Sequence, residues 1–251
     1  MLRFGRHRAE DVPAHAADPD HCVYAIGDIH GRVDLLDTLI RKIISDKEGD
    51  PSGRQMFIIF LGDYIDRGDQ SRETVDYLIK LQEAAGDKMH FLMGNHEAAL
   101  LDFLDGKGSG ENWLDFGGRQ TVASYGLNPP AASPTADELD RLRRQLHPRI
   151  APHLGFFRNL KLTWQSGDYF FCHAGVHPDT ALDAQSPRTL LFGNSNFLSD
   201  KGQITAKVVH GHYDAPEPVT QPHRICIDTG AYYSGRLTAA KITDRVSFIR
   251  T

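Results

Sequence analysis

Two rhythms of apolar positions run along the first half of the chain. Residues 22–26 form a short unbroken apolar run closed by Gly27, which predicts a buried strand. From Val33 onward, Leu35, Leu36, Leu39, Ile40, Ile43 and Ile44 recur at helical spacing and predict an amphipathic helix over 33–45. Residues 57–61 are apolar without interruption and end at Gly62, the pattern of a central strand buried on both faces. Val75, Leu78, Ile79 and Leu81 return to helical period over 71–84, and a third strand at 89–93 ends at Gly94. Strand, helix, strand, helix, strand at this spacing implies right-handed crossovers and a parallel sheet.

Residues 97–157 read as mostly helical, broken by Gly117-Gly118 and by the Pro-rich surface linker at 128–134. Beyond them, 160–164, 169–172, 207–209, 224–227, 237–242 and 246–249 read as short strands with turn signals between them. These predict a second sheet packed on the first. The expected fold is α/β, a two-sheet β-sandwich flanked by helices. Residues 1–20 lack periodicity and read as a loose N-terminal arm. Residues 21–251 read as one domain with a helical insertion at 98–157.

Composition narrows the function. The 251 residues carry 33 Asp+Glu against 28 Lys+Arg, a formal charge of −5, which argues against nucleic acid as a binding partner. No apolar run is long enough to span a membrane, and the basic start leads into no apolar h-region, so neither a membrane partner nor a signal peptide is expected. Cys22, Cys172 and Cys226 are far apart and form no C-x-x-C pair, which fits a cytoplasmic protein. A cysteine-dependent phosphatase needs Arg six positions after its nucleophile, where Asp28, Pro178 and Tyr232 stand instead. The stretch Gly106-Lys107-Gly108-Ser109-Gly110 lacks P-loop spacing and reads as a flexible turn.

The informative residues follow directly after the predicted strands: Gly27-Asp28-Ile29-His30-Gly31, Gly62-Asp63-Tyr64-Ile65-Asp66-Arg67-Gly68, Gly94-Asn95-His96-Glu97, His173-Ala174-Gly175 and His210-Gly211-His212. In open α/β sheets ligands bind outside the carboxyl ends of strands, so these five segments converge on one site, a dimetal site at those ends. Asp28 and His30 can reach one cation, Asp63 can bridge two, and Asn95, His173 and His212 offer further O and N donors. Such a donor set favours Mn²⁺, with Fe or Zn²⁺ as alternatives, over a structural zinc site. Two divalent ions with Asp28, Asp63 and a bridging hydroxide stay net positive, matched to a phosphate, and Arg67 adds a planar fork for its oxygens. Taken singly, each segment has a plainer reading: Asp-x-His as a turn, and Gly-Asn-His-Glu as a helix cap. His90 and His223 read as core or edge histidines, His210 as a support for the site, and His177 as a surface or substrate-facing loop residue. Five such segments in order do not arise from turn chemistry.

The series GDIHG, GDYIDRG, GNHE, HAG and HGH resembles the calcineurin-like metallophosphoesterases, and within them the bacterial and bacteriophage lambda type of serine/threonine phosphoprotein phosphatase. The resemblance runs from about Val23 to the end and includes Trp113-Leu114, Ser124-Tyr125-Gly126 and the stretch at 227–231. It implies that Asp28, His30 and Asp63 hold one metal ion, and that Asp63, Asn95, His173 and His212 hold the other. It implies a metal-bridging hydroxide as nucleophile, with His96 as general acid, Asp66 orienting it and Arg67 binding phosphoryl oxygens; Glu97 braces the loop. The implied activity is hydrolysis of a phosphoric monoester on a phosphoprotein or small phosphoester. A dinucleoside polyphosphate or cyclic nucleotide hydrolase, or a catalytically weak phospho-ligand binding protein, is the alternative. Two departures weaken the phosphoprotein expectation: Met93 and Asn194 stand where that family usually carries arginines. Arg188, Arg224 and His177 are the candidates to bind substrate in their place.

Overall fold

The alternation of side chains along each strand sorts them onto two cores. The computed structural model describes residues 15–199 and 204–251. β1 (His21–Ile26) leads through α1 (Val33–Glu48) to β2 (Gln55–Phe60), and α2 (Ser71–Ala85) leads on to β3 (Met89–Phe91). β1, β2 and β3 are parallel neighbours, as the two crossovers require. On β1, Cys22, Tyr24 and Ile26 face a core shared with the helices, including Leu36, Leu39 and Ile43 of α1. Val23 and Ala25 face the opposite way, into a core between two sheets. Both faces are dry, which explains the unbroken apolar runs.

A helical stretch follows: α3 (Asn95–Leu104), α4 (Gly110–Trp113), one wide turn at Leu114–Gly118, α5 (Arg119–Ser124) and α6 (Ala136–Arg158). Thr135 caps α6 by a reciprocal exchange with Glu138. The second sheet is built from β4 (Thr163–Ser166), β5 (Tyr169–Cys172), β6 (Lys207–His210), β7 (Val219–Gln221) and β8 (Arg224–Cys226), in the order β4-β5-β6-β8-β7. Its β5, β6 and β8 are parallel neighbours. Between β5 and β6 lie α7 (Pro187–Phe192) and α8 (Ser195–Leu198), which cover the outer face of this sheet through Leu190 and Phe197. After α9 (Ala231–Ser234) come β9 (Thr238–Ile242) and β10 (Val246–Arg250).

The architecture is the expected α/β sandwich of two sheets flanked by helices, with two differences. β9 and β10 join the first sheet, antiparallel beside β1, so that sheet is mixed, in the order β10-β9-β1-β2-β3. The three-residue β7 carries no apolar run and was not foreseen. Residues 1–14 of the expected arm lie outside the described residues. Residues 15–20 are docked: Ala16 N–H donates to Asp168 Oδ2 (3.0 Å), Asp168 N–H returns a bond to the Ala16 carbonyl (2.8 Å), and Ala17 is buried between the sheets. Among the described residues no helix is long and apolar enough to cross a membrane, and Cys22, Cys172 and Cys226 are buried free thiols.

Candidate metal centre

Parallel strands from both sheets end at one edge, and the loops beyond them meet there. Asp28 and His30 follow β1, while Asp63, Asp66 and Arg67 follow β2. Asn95 and His96 open α3, His173 follows β5, and His212 follows β6. The loops are stitched together by backbone bonds: Ile29 and His30 N–H donate to the Asp63 carbonyl, and Gly211 N–H to the His173 carbonyl.

Ring orientation decides what the site can hold. His30 donates from Nδ1 to the Ile65 carbonyl (2.8 Å), and His173 from Nδ1 to the Leu61 carbonyl (2.9 Å). Each neutral ring therefore turns the lone pair on Nε2 inward. Asp63 Oδ2 lies 3.6 Å from His30 Nε2, 3.8 Å from His96 Nε2 and 3.4 Å from His173 Nε2. The separations to His30 and His173 suit donor atoms arranged about cations roughly 2.0–2.2 Å from each. Asn95 Oδ1 sits 2.8 Å from His173 Nε2. An amide oxygen and a lone-pair nitrogen then face each other with no proton between them, which a cation relieves. His30, Asp63 and His96 form one cluster and Asp63, His173 and His212 another, with the ligand atoms of each within 4.8 Å of one another. Asp63 is common to both.

The electrostatics agree. Burial pushes His30 down to about 3 and His212 down to about 4, so both rings are neutral and can act as ligands. Burial, with the charges of Asp228 and Asp63 beside it, pushes Asp28 well above the usual carboxylate range. That is the signature of a carboxylate cluster short of positive charge. The residues present therefore fit two divalent cations sharing Asp63.

The backbone is strained where the donors are placed. Among the described residues six non-glycines have positive φ, and five are His30 (46°), Asp63 (51°), Asp66 (70°), Arg67 (67°) and His212 (65°). Such conformations persist only when their surroundings over-determine them. The buried Glu97 carboxylate supplies much of that determination, accepting from the N–H groups of Asp63 (2.9 Å), Tyr64 (2.8 Å), Ile65 (3.3 Å) and Gly94 (3.0 Å). Gly94 is needed for close approach, because a Cβ there would overlap Asp63 Oδ1 and its backbone N.

His96 faces the same centre but is held differently. Its Nδ1 lies 2.7 Å from Asp66 Oδ2. Asp66 also accepts from the Trp113 indole N–H (3.0 Å) and the Thr121 hydroxyl (2.5 Å). Burial alone would lower the His96 pKa, but the Asp63 charge and the bond to Asp66 outweigh it and raise it to about 9. His96 is thus protonated near neutrality while the other rings are not. Arg67 lies beside it with its guanidinium 5.2 Å above the Tyr232 ring.

A groove of about 540 Å³ opens off the centre, lined by Arg67, Asn95, His96, His212 and Arg188 among others. Arg188 therefore reaches the site region. Arg224 does not join it: its Nε donates to Gln221 Oε1 (3.0 Å) and its Nη1 approaches the buried His210. His177 lines a separate depression with Pro178 and Thr180. Asn194 accepts the N–H of Asn196 (2.8 Å) and caps α8, and Met93 packs on the helical core. Glu97 braces the loop as expected. The roles of Trp113 and Thr121 in holding Asp66 were not foreseen.

Residues 23–245 match the family model described as calcineurin-like phosphoesterase. The chain belongs to that family. Its members are hydrolases that use a dimetal centre, so this protein is a metallophosphoesterase. The chain is 27% identical over 237 residues to the asymmetrical bis(5'-nucleosyl)-tetraphosphatase PrpE of Anoxybacillus flavithermus, covering 86% of this chain and 88% of that one. Serine/threonine-protein phosphatase BSL2 of Arabidopsis thaliana is 40% identical, but over only 84 residues, 32% of this chain and 8% of that protein. A solved structure described as a candidate diadenosine tetraphosphatase superposes with a TM-score of 0.61 at 20% identity, covering 95% of this chain and 98% of the other. That likeness supports the fold. The sequence match to a serine/threonine phosphatase is partial, so the expected branch is not confirmed.

Proposed function

We propose that this metallophosphoesterase hydrolyses dinucleoside polyphosphates. The observation that carries the reading is the groove beside His96 and His212. A phosphoryl group alone needs a small fraction of its 540 Å³, a volume in the range of sites that take whole small molecules. The end-to-end similarity to a bis(5'-nucleosyl)-tetraphosphatase supports the same reading. The alternative kept from the sequence thus displaces the phosphoprotein phosphatase as the main reading.

In this reading Asp28, His30 and Asp63 hold one divalent ion, and Asp63, Asn95, His173 and His212 hold the other. Bound there, the ions polarise phosphoryl oxygens and lower the pKa of the attacking water. The chain's own residues supply the rest. The Arg67 guanidinium binds the non-bridging oxygens of the phosphate under attack. His96 gives its Nε2 proton to the departing oxygen, while Asp66 holds the ring by Nδ1 and stabilises the imidazolium before transfer. Asp63, accepting the His96 backbone N–H (3.1 Å), keeps the acid and the centre in register.

Steady-state kinetics on the manganese-loaded enzyme test the reading with diadenosine tetraphosphate, p-nitrophenyl phosphate and a phosphoserine peptide. The expected result is a kcat/KM for the dinucleotide well above the other two. A phosphopeptide preferred over the dinucleotide overturns it.

A further inference from the structure

Among the described residues five large hydrophobic side chains are exposed, and four are aromatic: Phe116, Phe192, Tyr232 and Tyr233. None of the four is remote from the candidate centre. Tyr232 stands edge-on to His30 (5.5 Å between ring centroids) with Tyr233 beside it. Phe116 and Phe192, 64% and 48% exposed, line the groove together. Exposed aromatic surface gathered at a polar site marks a ligand contact.

Both phenylalanines are anchored to the site's own loops. Phe116 precedes Gly117, whose φ of 119° lets its carbonyl accept the Arg67 N–H (3.2 Å). A Cβ on Gly117 would crowd the Arg67 backbone, so this approach is open to glycine. Phe192 ends α7, and the Leu190 carbonyl of the same helix accepts the Ala174 N–H (2.8 Å), one residue beyond His173. The backbone that carries each ring is therefore tied to the donor loops, while the rings themselves remain bare. The groove also carries Arg67, Lys107 and Arg188 against a single carboxylate, Asp102. Arg188 lies 5.8 Å above the Phe192 ring.

We propose that Phe116 and Phe192 are a nucleobase platform that determines specificity. The base of one nucleoside lies against the two rings, and its phosphate chain passes Lys107 and Arg188 toward Arg67 and the centre. This rests on the proposed function for its substrate class. The groove offers two complementary chemistries, flat apolar rings and cationic side chains, and a nucleotide has both. Every base has a π-face, so stacking tolerates any base and favours none strongly.

The test uses two hydrolysis-resistant ligands that differ only by adenosine: α,β-methylene-ADP and methylenediphosphonate. Their binding to the manganese-loaded full-length protein is measured by calorimetry. The wild type should bind the nucleotide about tenfold or more tighter than the bare diphosphonate. Phe116→Ala with Phe192→Ala should bring the ratio close to one. Phe116→Tyr with Phe192→Tyr should keep it. In parallel, the alanine pair should raise KM for diadenosine tetraphosphate about tenfold with kcat little changed. A ratio near one in the wild type, or one that survives the alanine pair, overturns the platform. A ratio that collapses as predicted in an enzyme that ignores diadenosine tetraphosphate keeps the platform and removes the proposed function.

Discussion

Trp113 donates its indole N–H to Asp66 Oδ2 at 3.0 Å, and the same oxygen holds His96 Nδ1 at 2.7 Å. The helical stretch that follows β3 thus reaches the proposed general acid through one carboxylate. Thr121, from α5, fixes the other oxygen of Asp66. An imidazole held this way has one orientation and one proton to give.

Trp113→Phe removes that donor and keeps a ring to stack on Phe103, now 5.0 Å away. We expect kcat for diadenosine tetraphosphate to fall on the order of tenfold with KM little changed, since a bond to a charged acceptor is worth about 1.5–3 kcal/mol before compensation. Steady-state kinetics of the purified variant decide it; an unchanged kcat removes Trp113 from the positioning of His96.

Asp66→Asn should move the alkaline limb of the rate–pH profile. The Asp66 carboxylate favours the imidazolium of His96, part of what raises its pKa to about 9. Without that charge the imidazolium is less stable and loses its proton at lower pH. The limb should therefore shift downward, by about 1–3 units for a lost opposite charge in contact. A limb that stays in place assigns it to another group.

His96→Asn should separate substrates by leaving group. Phenoxide is a strong base that needs the proton to leave, so kcat for phenyl phosphate should fall by about 10²–10⁴-fold with metal content retained. p-Nitrophenolate and nucleoside polyphosphate leave as weaker bases, and their losses should be smaller. Equal losses across the three would count against acid catalysis.

Glu97→Gln should loosen the whole Asp63 loop. The carboxylate collects four backbone N–H groups, and an amide has one acceptor oxygen where Glu97 has two. We expect a stability loss of about 2 kcal/mol or more and a metal affinity lower by about 10–100-fold. Thermal unfolding and manganese titration of the variant measure both.

β1 and β2, which lead to Asp28 and Asp63, were legible because burial on both faces leaves an unbroken apolar run, and the partly buried β3 was legible from its apolar residues and closing Gly94. The partners of β9 and β10 were not. Ala239 and Ala240 say that a strand is buried, but the choice between two sheets is made by long-range pairing with Ile26 and Ala25. β7, with Val219, Thr220 and Gln221, had no pattern to read. The convergence of Asp28, His30, Asp63, Asn95, His173 and His212 was legible because five of them directly follow a strand or a strand-closing glycine and His30 lies two residues beyond Asp28. Arg188 and Arg224 look alike in sequence, and only their partners tell them apart: the groove for one, Gln221 and His210 for the other. The bond from Trp113 to Asp66 spans 47 residues and has no local signature.

The proposed mechanism requires two ions that share Asp63. Its most direct test is manganese titration of metal-stripped protein, with bound metal and diadenosine tetraphosphate hydrolysis followed on the same samples. Two ions should bind per chain, activity should appear only as the second site fills, and Asp63→Asn should weaken both sites together. Full hydrolysis by the metal-stripped protein, or undisturbed binding of two ions by Asp63→Asn, would contradict it.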